Sequence, residues 1–429
     1  MAKSHTLKYE VLITGGETHQ GLLVIRSLAA RHVRMLVVGT EKRSLSFYSR
    51  SCGDHEVVAS PLSSPEQFVK EIFELVQRHG ISYVFPVTEG SLRALIPVRT
   101  ELEKQSKLIA GSPEMLEQGL NKRKMLDLAE RIGVTTTRSF YPADLGEAIE
   151  LANQCGFPVI FKPRGDGQDG FDMKVAYAYS EDDIRRILER VPEGSQLPMM
   201  QDYAYGPHTQ FCCFVERGKE IHSQFQDDTV RMLPLTGGIG VRRRSRLIVP
   251  QIAEESIRLF RAMDWEGPAS SQWKGPGPDG RYRFIEVGTR IIASIGSPLA
   301  SGIDFPWMQY QYFTGQKVTP GSEYLPGQNN RTFRGDTLTV ARYVLGDGAK
   351  SADQLPSRAK ILGDWLLDAV RPGLCSDAES LRDPGPGLIE LMSLCRDLGR
   401  VLKRRLRDLV RPLVSAARRK RSPAGDQTR

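Results

Sequence analysis

The sequence predicts an α/β protein with a doubly wound parallel sheet at its front, two strand-rich lobes in its middle and a helical extension at its end. Three observations lead there. Strand and helix patterns alternate over residues 8–115, a glycine-rich loop near 165 joins two strand patterns, and residues 198–293 are mostly strand.

The front unit reads in order. "KYEVLITGG" is a buried strand, "HQGLLVIRSLAARH" has the helical period, and "VRMLVVGT" is a second strand. A helix over about 65–79 and the strand "SYVFPVT" complete the parallel pattern. The turn from Gly15 to Gly21 lacks the G-x-G-x-x-G order, so a tight strand-to-helix turn is the better reading than a dinucleotide site. A nicotinamide oxidoreductase is therefore disfavoured.

Residues 116–135 predict one amphipathic helix ending at Gly133, a suitable C-cap. "FPVIFKPRGDGQDGFDMKVAYAYS" follows. Gly165 to Gly170 matches G-x-G-x-x-G, but "FDMKVAYAY" alternates as a strand instead of opening a helix. A glycine loop between antiparallel strands lays backbone N–H groups over phosphates as a flap. Further on, a helix is expected near 250–263, then a hairpin with arms "ASSQWK" and "RYRFIEV" closed by "GPGPDG". A helix is expected over 294–315, loops over 316–360, and helix beyond Ile361, broken at "RDPGPG" and ended or kinked at Pro412.

The 429 residues suffice for two or three packed units, and 40% hydrophobic with 26% charged residues is an ordinary globular balance. Charge interrupts the apolar runs well before the roughly 20 residues of a membrane helix. The N-terminus enters a strand directly, without an apolar signal core, so a cytoplasmic location is expected. Six cysteines show no C-x-x-C spacing, and Cys212 with Cys213 reads as buried strand thiols. The net charge of +8 is local: Arg396–Arg421 holds eleven Lys or Arg against Asp397 and Asp408, or +9, leaving −1 elsewhere. Nucleic acid is thus not an expected partner.

The order of parts, with "WEGPASSQWKGPGPDGRYRFIEVGTR" and "GIDFP", resembles the ATP-grasp superfamily, specifically the carboxylate–amine ligase type found among bacterial polysaccharide-biosynthesis proteins. The resemblance implies a pre-ATP-grasp domain over 1–115, a small lobe with the glycine flap over 116–205, a large lobe with the metal strand over 206–325, and an extension over 326–429. It also implies ATP and Mg2+ as cofactors.

Site residues follow from the same resemblance. Lys122, with Lys124 as competitor, and Lys162 would meet phosphates, beneath a flap of Gly165, Gly167 and Gly170. Gln201, Asp202 and Tyr203 would read the adenine edge, and His208 stands where the family offers a ribose-binding carboxylate. Glu286 and Gln272 would hold the metal; residues two apart share a strand face, so position 288 would add a ligand, but Gly288 has no donor. Magnesium binds through one or two carboxylates plus substrate phosphates, so one Mg–ATP remains compatible. A structural ion pair between Glu286 and Arg290 is the other reading. Arg290 would steady an acyl phosphate, making it, with Lys162, a catalytic candidate. Arg242, Arg243, Arg244 and Arg246 form either a substrate-binding loop or a solvated one.

The expected function is an ATP-dependent ligase that activates a small carboxylate as an acyl phosphate for attack by an amine or similar nucleophile. The alternative is a degenerate ATP-grasp scaffold or regulator. The apolar stripe of Leu394, Leu398, Val401, Leu402, Leu409 and Leu413, with Arg400, Lys403, Arg404, Arg407 and Arg411 mostly off it, can pack on the body or lie on an anionic membrane.

Overall fold

The computed structural model describes residues 8–164, 170–173, 175–217, 220–235, 237–321, 323–346 and 353–420, with side chains through 407. The front unit contains β1 (Val11–Ile13), α1 (His19–Ala29), β2 (Met35–Gly39), β3 (Asp54–Val57), α2 (Pro65–His79), β4 (Tyr83–Phe85), α3 (Glu89–Leu95), α4 (Arg99–Leu102) and β5 (Lys107–Leu108). Its strands form a parallel sheet in the order β3-β2-β1-β4-β5, with β1 central and every residue of it buried. That is the doubly wound arrangement expected from continuous apolar strands between amphipathic helices.

The single helix expected over 116–135 is two: α5 (Pro113–Leu120) and α6 (Lys122–Arg131). Asn121 leaves helical geometry and caps α6, its side chain accepting from the Lys124 N–H at 3.1 Å. The restart matters because it makes Lys122 the first residue of a helix. Gly133 follows at φ 74°, which a side chain would resist.

The small lobe has β6 (Ser139–Phe140), α7 (Leu145–Cys155), β7 (Val159–Lys162), β8 (Ala176–Ala178), α8 (Glu181–Leu188) and β9 (Met199–Asp202), with a sheet ordered β6-β9-β7-β8. β7 and β8 are antiparallel, as the hairpin reading required. This lobe has its own core, in which Phe161, Ile184 and Met200 are enclosed.

The large sheet is ordered β14-β13-β10-β11-β12-β15-β16. Its strands are β10 (His208–Val215), β11 (Ile221–Leu233), β12 (Ile239–Ser245), β13 (Gly267–Lys274), β14 (Arg283–Gly288), β15 (Asn329–Arg331) and β16 (Leu374–Ser376). Helices α9 (Pro250–Ala262), α10 (Gly296–Ala300) and α11 (Phe305–Phe313) accompany it; α10 and α11 replace the one helix expected over 294–315. Trp265, Trp273 and Phe284 are enclosed in a core shared with the front unit.

The extension departs most from expectation. Residues 316–360 include β15 and α12 (Phe333–Val344), and α13 (Arg358–Asp368) leads into β16, so the extension adds two strands to the large sheet. Helix α14 (Pro384–Lys420) begins inside "DPGPG" and continues past Pro412. Pro384 opens it, where no intrahelical N–H bond is needed. Asp383 fastens its start to the front unit, accepting from Arg26 at 2.8 Å, the Ser49 hydroxyl at 2.6 Å and the Arg50 N–H at 2.9 Å. Leu394 is buried, Leu398 and Val401 are half-buried and Leu402 is exposed; Leu409 and Leu413 of the expected stripe lie outside the described side chains. Among the described residues no helix is long and apolar enough to cross a membrane.

Candidate nucleotide-binding and catalytic cleft

A cleft of about 540 Å³ lies between the small lobe and the large sheet. Its floor is one row across three strands. Gln210 on β10 pairs with Gln272 on β13, which pairs with Glu286 on β14. Directly paired residues share a sheet face, so one carboxylate and two amides stand side by side. Ser294 donates to Gln210 Oε1 at 2.6 Å, steadying the amide. Gly288 follows Glu286 on the same face, and a Cβ there would stand 2.5 Å from Ser270 Oγ. Among the described residues no three His, Cys, Asp or Glu side chains form a metal cluster. Glu286 with a Gln272 amide oxygen fits a single Mg2+ whose remaining ligands are phosphate and water.

Lysines face this row. Lys162 ends β7, and Lys122 opens α6; both line the cleft. Burial pushes the Lys162 ammonium down to about 8; Glu286 opposes that shift, and Lys122 and Lys274 reinforce it. Lys274 is paired with Asp353, so Lys162 and Lys122 facing one carboxylate leave a cationic surplus that phosphate would neutralise. Lys124, the competitor, turns away to Glu117 at 2.5 Å. Arg290 lines the same cleft, where burial lowers its pKa against the pull of Glu89 and Glu286; its Nη1 donates to the Ile291 carbonyl at 3.2 Å. No ion pair joins Glu286 to Arg290 among the described residues.

The connection between the lobes supplies the other end. Gln201, Asp202, Tyr203 and His208 all line the cleft. Gln201 Nε2 donates to Ser139 at 2.8 Å, while the Asp202 carboxylate accepts from Arg138 Nε at 3.0 Å and its N–H at 2.9 Å. Burial first, then Lys274 and Lys162, push the His208 imidazole down to about 3, so it is neutral throughout the physiological range.

Four expected substrate residues do not reach the cleft. Arg242 is buried against Asp368 at 3.0 Å, Arg243 is buried near Asp227, Arg244 is exposed, and Arg246 pairs with Asp228 at 3.1 Å. Strand β12 lies four places from β14, about 19 Å at the usual spacing of strands. The tip of the β11–β12 hairpin does reach it: Gly237 and Gly238 line the cleft, and Gly237 abuts the Tyr177 hydroxyl on β8. Gly165 and Gly167 lie outside the described residues. Gly170 has φ 55° and backs onto Pro192 and Ser195, away from the cleft lining.

Gln210 and Lys274 went unrecognised in the sequence, although alternation held the signal. Gln210 stands two residues after His208, and Lys274 two after Gln272, so each shares its neighbour's face.

Two α+β lobes closing on a lysine-flanked, acid-bearing cleft behind a parallel-sheet unit make up the ATP-grasp fold. No protein-family model matches the chain. It is 25% identical over 264 residues to the carbamoyl phosphate synthase large chain of Saccharolobus islandicus, covering 58% of this chain and 24% of that one. It is likewise 25% identical over 179 residues to the formate-dependent phosphoribosylglycinamide formyltransferase of Bacteroides fragilis, covering 37% and 44%. The chain thus spans less than half the length of either relative. Among solved structures it resembles the biotin carboxylase domain of the Hydrogenobacter thermophilus 2-oxoglutarate carboxylase, solved with MgADP, ADP and bicarbonate. There the TM-score is 0.59 at 16% identity, over 76% of this chain and 73% of that one. The likeness to N5-carboxyaminoimidazole synthetase from Staphylococcus aureus has a TM-score of 0.58 at 13% identity, over 75% and 82%.

Proposed function

We propose that the protein is a cytoplasmic ATP-dependent ligase joining a small carboxylate to an amine. The observation that carries this reading is the Gln210–Gln272–Glu286 row facing Lys162 and Lys122 across an ATP-grasp cleft. A carboxylate oxygen of the substrate attacks the γ-phosphorus of ATP and ADP leaves. The amine nitrogen then attacks the acyl carbon, phosphate departs, and the amine loses a proton. Lys122 and Lys162 hold the phosphates, and Gln201–Tyr203 hold the base. Glu286 and Gln272 would hold Mg2+, which supplies charge neutralisation between the phosphates. Arg290 faces the acyl phosphate and the oxyanion formed from it. The work is positioning and charge stabilisation, which explains a site with few acid–base groups.

The W-x-G-P and G-I-D-F-P segments support substrates drawn from polysaccharide assembly. Calorimetric titration with ATP, with and without Mg2+, tests the reading, followed by ADP release with candidate carboxylates and amines. Magnesium-dependent binding and turnover that Glu286→Ala abolishes are expected. The lone carboxylate in the row favours a second reading, a scaffold without turnover, and absence of binding at millimolar ATP would put that reading ahead of the ligase.

Helix α14 supports a peripheral contact with anionic membrane. Leu388, Met392, Cys395, Gly399, Leu402 and Leu406 recur at steps of four and three, all exposed, beside exposed Arg396, Arg400, Lys403, Arg404 and Arg407. Like charges along the stripe oppose pairing with a second copy and suit acidic lipid. Sedimentation with phosphatidylglycerol vesicles is expected, and equal sedimentation of Leu402→Asp/Leu406→Asp would refute the contact.

A further inference from the structure

Lys274 follows Gln272 by two residues on β13, and strand alternation turns both into the cleft. Its ammonium is almost enclosed, at 8% side-chain exposure. It donates to Asp353 Oδ2 at 2.8 Å and to the Tyr203 hydroxyl at 3.0 Å, and stands 4.2 Å from the centre of the Tyr203 ring. Asp353 also accepts from the Tyr203 hydroxyl at 2.6 Å and from the Gly206 N–H at 3.1 Å. One carboxylate from the extension therefore ties Lys274 to the segment connecting the two lobes.

An ammonium has three N–H donors. Among the described residues Asp353 and Tyr203 take two, which leaves the third for the cleft that Lys274 lines. Directly across the strand pair stands His208, the register partner of Lys274. A neutral imidazole can accept one hydrogen bond, so a donor and an acceptor sit side by side on one face. That pair complements a vicinal diol, whose hydroxyls accept from one neighbour and donate to the other.

We propose that Lys274, held by Asp353 and paired with His208, binds the ribose hydroxyls of the nucleotide, so that the extension completes the nucleotide site. The assignment rests on the ligase reading above. Lys274 is the contacting residue and Asp353 a positioning residue.

The test compares calorimetric affinities for Mg–ATP and Mg–2′,3′-dideoxy-ATP. The unaltered protein should prefer ATP by roughly tenfold or more, the range for losing a hydrogen bond to a charged group. Lys274→Met should abolish the preference by lowering ATP affinity more than dideoxy-ATP affinity, and Lys274→Arg should retain it. Asp353→Asn should reduce the preference, with the thermal unfolding midpoint recorded alongside. Equal affinity for the two nucleotides in the unaltered protein overturns the assignment alone. So does a Lys274→Met variant that weakens both by one factor, since Lys274 would then only support the connection between lobes. Failure of the unaltered protein to bind either nucleotide overturns the ligase reading, and this assignment with it.

Discussion

Arg242 grips both oxygens of the Asp368 carboxylate, from Nε and Nη2, at 3.0 Å each. Arg231 reaches the same carboxylate at 2.5 Å while binding Asp336 at 2.6 and 2.9 Å, and Arg371 adds a bond of 2.8 Å. Arg231, Arg242, Asp336 and Asp368 are buried and fasten α12 and α13 to β11 and β12. Removing one partner leaves an uncompensated buried charge, at a cost of about 3–5 kcal/mol. Asp368→Ala should lower the urea-unfolding free energy by about that much, with ATP affinity unchanged in the folded fraction. Burial opposes ionisation of Asp368, but hydrogen bonds from Arg242, Arg231 and Arg371 outweigh it and hold the carboxyl well below its usual range. A depressed carboxyl contributes stability above its unfolded pKa, about 4, and loses it as pH falls through the folded value. The stability gap between the unaltered protein and Asp368→Asn should therefore shrink below about pH 4.

Lys162 gives the cleft a pH dependence of the opposite kind. With its ammonium lowered to about 8, it is charged at pH 7 and mostly neutral at pH 9. Phosphate favours the charged form, so ATP binding above pH 8 should take up a proton and weaken as pH rises. Titrations in buffers of different ionisation enthalpy measure that proton directly. Lys162→Arg keeps its charge at every accessible pH and should remove the proton uptake. Unchanged uptake in that variant would assign the proton to another group.

The two lysines at the start of α6 separate cleanly. Lys122 lines the cleft and Lys124 is bound to Glu117 outside it. Lys122→Ala should weaken ATP binding about tenfold, the scale of one charge-assisted hydrogen bond, and Lys124→Ala should leave it unchanged. The reverse order would show that the helix start is misassigned.

Much of this site was legible because its parts obey strand periodicity. Glu286, Gln272 and Lys162 sit at strand positions whose face follows from a period of two, and the parallel front unit follows from buried apolar strands. What failed was placement across the sheet. "VRRRSR" reads as a cationic loop, yet it is largely strand β12, and its cationic side chains lie near acids 16 to 126 residues away or, in the case of Arg244, face solvent. Composition cannot say which strand neighbours which. Asp353 was invisible for the same reason, lying 79 residues beyond Lys274 in a stretch without periodic pattern.

The row bearing Glu286 can be given the ligands it lacks by substitution, and that makes its assignment testable. Gln272→Glu places a second carboxylate beside Glu286, and Gly288→Asn adds an amide oxygen two residues along the same face. The obstacle is Ser270, whose hydroxyl stands 2.5 Å from a Cβ at 288. A serine hydroxyl can rotate to another rotamer at small cost, and Ser270→Gly would remove it altogether. Magnesium binding rises with the number and charge of oxygen ligands, so the double variant should bind Mg–ATP more tightly while ATP without Mg2+ gains nothing. Both carboxylates repel bare triphosphate, so metal-free affinity should fall. Calorimetry at fixed ATP with Mg2+ varied reads the two effects separately. Magnesium dependence equal to that of the unaltered protein, with Ser270→Gly included, would place the metal elsewhere in the cleft.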